Sequence, residues 1–386
     1  MTFVSIAQTS TTTMSESTEV RDESSASMLT AESPQTERDD LLSDQFPAGA
    51  GLAEARGSRA PAIYSDAAQE LSALLTSVAA FDADSRVRLR ITGKDRVRWL
   101  NGMVTNSVKG LAQGTHNYTF VLNAQGRIQG DATVFAFADH LVLETDRSQA
   151  DRLFAHLDHF IIMDDVELAW IKGQTTLGLA GPGAHELLTA LGLPAPEAGS
   201  FVAVSDPARM IVVGEDSTHV RRFSLWIGEA EARGFWERLL GAGAIPAGTA
   251  AIHALRVLEA TPLYGVDITE KTLAQETGQM RALNFNKGCY LGQEIVERVR
   301  SRANIHRAIR QFALHGQPAA PGTSLTADGV AIGELTSVAE IALPRFTGGV
   351  ALGLVRVEAL RQPLAYAGGS VEVLTESPLS KLPLAG

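Results

Sequence analysis

Cysteine is nearly absent from this chain: its 386 residues contain one, Cys289. A lone thiol excludes an intramolecular disulfide and suits a reducing compartment. No run of about 18 uncharged apolar residues occurs, which argues against a membrane-spanning helix. Residues 1–20 lack the basic start and apolar stretch of a signal peptide, so a cytoplasmic location is expected. There is also no G-x-S-x-G, P-loop or H-E-x-x-H, which removes three common catalytic fingerprints.

What is present is ordinary in bulk and uneven in detail. Apolar residues make up 45% and charged residues 20%, the balance of a soluble globular protein. The length calls for two or three domains. The net charge is −11, with ten acidic and four basic residues in 1–60. The remainder is only mildly acidic, so general nucleic-acid binding is not expected.

Residues 1–60 are rich in Ser, Thr, Glu and Ala and show no sustained apolar period, which predicts a disordered tail. Met14 offers an alternative start to Met1. From Pro61 the pattern becomes that of a folded region. "RVRLRITG" (86–93) alternates as a strand, with Val87, Leu89 and Ile91 on one face. "KDRVRWLNGMVTNSV" follows with helical spacing. "NYTFVLNAQGRIQGDATVFAF" (117–137) predicts two strands around a turn at Asn123–Gly126. "HLVLETD" predicts a strand, "SQADRLFAHLDHFIIM" a helix. "TTLGLAGPGAHELLTALGL" and "RRFSLWIGEAEARGFWERLLGAG" each read as strand, turn and helix, with Trp226 and Trp236 in a core. The irregular alternation favours an α+β build of antiparallel sheets covered by helices over 61–310. Beyond it, short β-rich runs predict a small β-barrel or sandwich over 311–386.

The chemistry converges on "NFNKGCYLGQEIVERV" (284–299). Lys287 lies two residues before Cys289, and Gly288 and Gly292 allow tight turns on either side. Ile295, Val296 and Val299 mark an amphipathic helix, which puts Cys289 just ahead of its N-terminus. Amide dipoles and a nearby ammonium favour thiolate, lowering a cysteine pKa from about 8.5 to ~3.5–7.5. A nucleophilic or metal-facing thiolate is one reading; a small buried apolar residue is the other. Downstream, "RVRSRANIHRAIR" (298–310) holds five arginines and no acid. It is either a solvated basic face or a site for an anionic ligand, phosphate included. His156 and His159 have i,i+3 spacing but no third metal ligand, and "GPGAHE" reads as a turn into a helix.

"NKGCYLGQEIVER" resembles the K-G-C-Y-x-G-Q-E signature of the YgfZ-type folate-binding proteins, relatives of the glycine-cleavage T protein that act in iron–sulfur cluster assembly and repair. "RITGKDRVRWLNGMVTNSV", "VLNAQGRIQGDATVF" and "LRVLEATPLYGVDI" extend the likeness over about 86–310, with a C-terminal part like the family's barrel. The resemblance implies a tetrahydrofolate site in the α+β region. Asp131 falls where the T-protein relatives keep an aspartate that contacts the pterin, a task suited to a carboxylate. Arg256 falls where they place an arginine approaching the ligand. Tyr118 and Asn123 flank the hairpin and are expected to line the same cavity.

Two departures count against glycine cleavage. The transferase's Gly-Tyr-Glu step is here Arg222-Phe223-Ser224, and its strand asparagine is replaced by Glu144. Within the signature, Cys289 is expected as the reactive thiolate and Lys287 as the cation that lowers its pKa. Tyr290 would pack beside a pterin or hold the turn. Gln293 and Glu294 would contact a ligand or bond backbone donors at the helix start. Arg298 would pair with Glu294 or reach a ligand carboxylate. Clusters are held by about four thiolates, so no permanently bound metal cluster is expected. The expected partners are folate and, transiently, iron–sulfur client or scaffold proteins, with no membrane and no nucleic acid. The rival readings are a folate-dependent one-carbon (aminomethyl) transferase and a non-catalytic module docking RNA or an acidic protein through the arginines.

Overall fold

The computed structural model describes residues 29–30, 42, 45–47, 51–205, 209–217, 219–302, 305–344 and 346–381. In chain order the strands and helices begin with β1 (Leu29–Thr30), β2 (Leu52–Ala55), β3 (Ser58–Pro61), α1 (Ala67–Thr76), β4 (Ala79–Asp82), β5 (Arg86–Thr92) and α2 (Arg96–Met103). They continue with β6 (His116–Leu122), β7 (Ile128–Ala136), β8 (Leu141–Asp146), α3 (Ala150–His159), β9 (Glu167–Ile171), β10 (Gln174–Ala180) and α4 (Ala184–Ala190). Then come β11 (Ser200–Val204), β12 (Met210–Gly214), β13 (Arg222–Gly228), α5 (Glu229–Gly241), β14 (Ile245–Pro246), α6 (Thr249–Leu258) and α7 (Gln293–Arg302). The C-terminal strands are β15 (Arg307–Gly316), β16 (Ser324–Ala327), β17 (Val330–Leu343), β18 (Phe346–Arg356), β19 (Leu364–Tyr366) and β20 (Gly369–Leu374).

Two six-stranded sheets form the body, in the orders β1-β9-β5-β8-β7-β6 and β11-β12-β13-β10-β4-β14, and β15–β20 close a six-stranded barrel. Pairing is antiparallel except between β14 and β4. The α+β expectation, with a C-terminal barrel, holds. The outer face of the first sheet carries Val87, Leu89, Ile91, Val134 and Leu143 against Trp99 and Leu100 of α2 and Leu153 and Leu157 of α3. The second sheet turns Leu177, Leu179, Val212 and Leu225 toward α4 and α5, including Phe235 and Trp236. Each such fully buried side chain contributes about 1.5–3 kcal/mol, which fixes strand register because a one-residue slip would expose the whole row.

The inner faces meet through Phe135, Val142, Phe201, Val213 and Trp226. Elsewhere they are polar, so the arginines that alternate along β5 point between two sheets rather than into solvent. A third core joins α1 and α6 to barrel residues Ile309, Ile341, Val350 and Leu352.

Two sequence expectations need revision. Part of the stretch read as a tail is folded: β1 pairs with β9, Leu42 is buried, and β2 and β3 form a hairpin. Its two-residue turn, Arg56 (φ 59) and Gly57 (φ 82), has the left-handed conformation that a twisted hairpin needs. Residues 1–28, 31–41, 43–44 and 48–50 lie outside the described residues. The helix expected over 94–108 ends at Met103, because Asn101 Oδ1 accepts from the amides of Val108 and Lys109 and the Thr105 hydroxyl bonds the Ala282 carbonyl. Such side-chain bonds compete with helix continuation.

Candidate functional site

A cavity of ≈ 540 Å³ opens beside the polar inner face of the first sheet, bounded also by the β2–β3 hairpin, residues 215–217, β13, α6 and 278–281. That volume falls within the ~300–1,000 Å³ of small-molecule and cofactor sites. Period-two geometry explains its floor: His116 and Tyr118 on β6, Asp131 and Thr133 on β7, Glu144 and Asp146 on β8, and Arg86 on β5 all face the same way.

Charges on this floor are paired in depth. Glu144 is 1% exposed and accepts from Arg86 Nη1 at 3.2 Å and Arg88 Nε at 3.0 Å. Burial still pushes its carboxyl up, against the pull of both arginines. Arg88 also bonds the Thr176 hydroxyl and lies 4.1 Å from the Trp226 ring centroid, tying the two sheets together. Asp146 meets Arg56 of the hairpin turn at 3.3 Å, and burial pushes its carboxyl up as well. Arg56 thereby latches the hairpin to the floor.

Asp131 is held by two donors. Tyr118 Oη donates to Oδ2 at 2.7 Å, and Gln149 Nε2 donates to Oδ1 at 2.7 Å. Gln149 Oε1 accepts in return from the Asp131 amide at 2.9 Å, so one buried glutamine fixes both backbone and side chain. Burial, with the Asp131 charge adding, pushes the Tyr118 phenol well above its ordinary range, so it remains a donor. The exposed Arg281, also on the lining, stacks its guanidinium 4.8 Å from the Tyr118 ring centroid.

Sequence reasoning placed no carboxylate at the Arg222-Phe223-Ser224 step, yet the structure has one there. Gly214 pairs with Phe223, so Glu215 follows β12 beside β13, and Ser224 Oγ donates to Glu215 Oε1. Burial opposes its charge, but the Arg86 guanidinium, the Ser224 hydroxyl, His116 and Arg222 together hold its carboxyl below the usual range. Arg222 and Ser217 both bond Glu259 nearby. Sequence reasoning likewise missed the role of Arg86 and Arg88. Their signal was the repeated Arg on a strand whose other neighbours are all apolar.

Arg256 lines the cavity, but its donors are engaged by other protein groups. Nη1 bonds Asp267 Oδ2 at 2.8 Å and the Thr261 carbonyl at 3.3 Å; Nη2 bonds Ser337 Oγ at 2.7 Å and His253 Nδ1 at 3.1 Å. These bonds make Arg256 a junction between α6 and β17 on the cavity wall.

The remaining expected residues stand apart from the cavity, since Asn123, Lys287, Cys289, Tyr290 and Arg298 are not on its lining. Asn123 builds the hairpin turn, its Oδ1 accepting from the amides of Gln125 and Arg127 at 3.0 Å each. Lys287 Nζ bonds the carbonyls of Val104 and Asn106, both at 2.6 Å, and burial pulls its pKa down to about 7. Its hydrogen bonds therefore go to backbone rather than to the thiol. Cys289 is exposed, four residues ahead of the first residue of α7. Tyr290 is buried in the α1–α6–barrel core with Lys287 Nζ 5.0 Å from its ring centroid, the turn-holding alternative. Gln293 Oε1 accepts from the Tyr290 amide at 3.3 Å, the structural reading of that glutamine.

Arg298 is exposed on α7 and makes no ion pair with Glu294 among the described residues; Arg300 pairs with Glu297 instead. The arginine stretch is divided, with Arg307 on the barrel bonding Glu276. His156 Nε2 meets the Leu122 carbonyl, and no cluster of metal-ligating side chains occurs among the described residues. Among those residues no helix is long and apolar enough to cross a membrane.

Comparison with known proteins agrees with this architecture. A candidate chloroplastic transferase of Arabidopsis thaliana is 27% identical over 275 residues, 70% of this chain and 63% of that protein, so the chain spans less than two thirds of that relative. An aminomethyltransferase of Rubrobacter xylanophilus is 27% identical over 354 residues, covering 89% of this chain and 91% of the relative. The crystal structure of the glycine cleavage system aminomethyltransferase T from Bartonella henselae superposes with a TM-score of 0.78 at 22% identity, covering 86% of this chain and 94% of that one, a likeness of fold. The CAF17 C-terminal beta-barrel domain matches residues 307–379. The GCVT N-terminal domain matches residues 43–287, and with this coverage the chain belongs to that T-protein-like family.

Proposed function

We propose that this chain binds a reduced folate in the cavity and supports the assembly, maintenance or repair of iron–sulfur clusters in client enzymes, with Cys289 as its reactive thiol. The observation that carries the folate half is Asp131, a carboxylate on the lining of a ≈ 540 Å³ cavity, oriented by Tyr118 and Gln149. Tetrahydrofolate would supply a carrier for one-carbon units. The chain's own residues bind and orient it: Asp131 accepts N–H donors, Tyr118 and Gln149 keep that carboxylate in place, and the exposed Arg281 offers a cation to tail carboxylates.

The cluster half rests on the K-G-C-Y-x-G-Q-E signature, together with an exposed thiol outside the cavity. A thiol so placed is reachable by a protein surface, which fits transient contact with a client or scaffold. Cytoplasmic action belongs to the same proposal. The second reading is folate-dependent aminomethyl transfer, favoured by relatives named aminomethyltransferase.

The test has two arms. Calorimetric titration with 5-formyltetrahydrofolate should give saturable binding that Asp131→Ala weakens with the fold intact; no binding by the unaltered chain sinks the folate half. A deletion strain should lose iron–sulfur enzyme activities and be rescued by the unaltered gene but not by Cys289→Ala. Full rescue by that variant removes the thiol from the mechanism, and aminomethyl turnover by it would establish the second reading.

A further inference from the structure

Carboxylates on the cavity lining differ in what they have left to offer; Asp146 Oδ1 meets no hydrogen-bond donor among the described residues, but that atom is buried, 3.8 Å from Arg86 Nε. Glu144 has one oxygen on Arg86 and the other on Arg88. Asp131 has one on Tyr118 and one on Gln149. Glu259 has one on Ser217 and one on Arg222. Glu215 has Oε1 on Ser224, while no donor among the described residues meets Oε2. Glu215 is only half-buried, and it lies on the lining, so this oxygen borders open space rather than packed hydrocarbon.

The surroundings keep Glu215 in place and charged. The β12–β13 ladder fixes its backbone, with the Glu215 amide bonding the Arg222 carbonyl at 3.0 Å. The Ser224 hydroxyl fixes one oxygen, and burial is outweighed by Arg86, His116 and Arg222. His116 is itself anchored, its Nε2 at 2.9 Å from the Gly214 carbonyl, one residue before Glu215. A carboxylate oxygen without a donor, inside a low-dielectric cavity, is a strong acceptor waiting for an N–H.

We infer that Glu215 is the residue that reads the N–H-rich edge of the ligand, an amino-pyrimidinone type of edge, while Asp131 serves as a pre-oriented acceptor elsewhere along the ligand. The inference rests on the folate reading and assigns its specificity to a carboxylate outside the K-G-C-Y-x-G-Q-E signature. Asp131 is the weaker choice for this edge because both its oxygens already accept strong hydrogen bonds. Ser224 acts as the positioning residue, since it touches the ligand only through Glu215.

The experiment compares two probes on the full chain: 6,7-dimethyltetrahydropterin, which carries the 2-amino donor, and 6,7-dimethyltetrahydrolumazine, which has a carbonyl there. The unaltered protein should prefer the pterin by roughly 10- to 100-fold, the scale of one charge-assisted hydrogen bond. Glu215→Gln should reduce that preference to about threefold or less, and Ser224→Ala should reduce it partway. Asp131→Asn should weaken both probes while keeping their ratio.

A pterin preference that survives Glu215→Gln overturns the inference and leaves the folate reading standing. Failure of the unaltered protein to bind either probe overturns the folate reading itself. Equal binding of both probes by the unaltered protein overturns the inference without any variant. If Glu215→Gln does not fold, the Ser224→Ala and Asp131→Asn ratios decide: a preference lost in Asp131→Asn and kept in Ser224→Ala refutes the assignment.

Discussion

Lys287 Nζ donates to the carbonyl oxygen of Asn106 at 2.6 Å, and the Asn106 side-chain amide in turn donates to the carbonyls of Tyr118 and Arg281, both at 2.9 Å. The signature loop is thus tied by hydrogen bonds to two residues of the cavity lining, although its own side chains do not reach the cavity. Lysine is suited to this post because three donors on a flexible stem can satisfy converging carbonyls that would otherwise be buried unpaired. Its cost is desolvation, and that cost is readable in pH.

Burial pulls the Lys287 pKa down to about 7, whereas in the unfolded chain it returns to about 10.4. Between those values the unfolded chain binds a proton that the folded chain has released, so stability rises with pH across the window. Below pH 7 the full penalty of burying the ammonium is present. The urea midpoint of the unaltered chain, taken relative to Lys287→Met at the same pH, should climb from pH 6.5 to pH 9. The lost carbonyl bonds of the variant add an offset that does not depend on pH, so only the slope matters. A flat difference would mean that Lys287 titrates as a solvated lysine.

Tyr118→Phe removes one donor from Asp131 and nothing from the fold of β6, whose pairing with β7 is backbone-made. Asp131 Oδ2 then turns to water, and Gln149 alone holds the carboxylate through Oδ1. Folate affinity should fall by about 1–2 kcal/mol, the scale of a hydrogen bond to a charged group, with little change in Tm. Calorimetry beside a thermal melt checks both halves. An unchanged affinity would free Tyr118 of its orienting role.

Strands β5 to β8, β10 and β13, the hairpin turn at Asn123, the barrel and the start of α7 were legible because each is a local pattern: alternation, turn chemistry or helical spacing. Asp131 and Tyr118 were singled out through the resemblance, and both lie on the cavity lining, joined by a hydrogen bond. What alternation could not reveal was which element covers the second face of β5. Arg86 and Arg88 look solvated along "RVRLRIT"; Arg86 instead lines the cavity, and Arg88 is sealed beneath the second sheet. Glu215 escaped notice because its place depends on the β12–β13 register, a contact between strands rather than a motif. The sequence brought Lys287 and Cys289 together by spacing, but a two-residue separation does not fix direction, and the ammonium turned inward to Val104 and Asn106.

The signature loop also rests on a glycine. Gly292 has φ 80, and a Cβ there would stand 2.6 Å from the Asn123 carbonyl oxygen, which is backbone and cannot swing away. Gly292→Ala would therefore combine left-handed strain of about 1–2 kcal/mol with a collision against the hairpin turn. Destabilisation above about 2 kcal/mol by chemical denaturation is expected, with faster alkylation of Cys289 as the loop lifts away. Neutral stability would show that the loop and the hairpin move apart at no cost.

The barrel is fastened to the cavity wall through Arg256 and Asp267. Asp267 is buried, and beyond the guanidinium it accepts from the hydroxyls of Thr336 and Ser337, both at 2.6 Å, and from the Leu263 amide at 2.9 Å. His253 completes the arrangement: burial and Arg256 lower its pKa, so the neutral ring donates from Nε2 to the Val338 carbonyl and accepts at Nδ1. Removing the arginine alone leaves a carboxylate in the interior, so Arg256→Met should cost about 3–5 kcal/mol. Asp267→Asn leaves the guanidinium short of its counter-charge and should cost a similar amount. In the double variant neither charge is stranded, so the loss should be smaller than the sum of the two by at least 1 kcal/mol, the behaviour of directly coupled groups. Denaturant titrations of the four proteins give the coupling directly. Strict additivity would show that α6 and β17 are held by apolar packing alone, and a loss of folate binding in Arg256→Met at unchanged stability would return that arginine to the ligand.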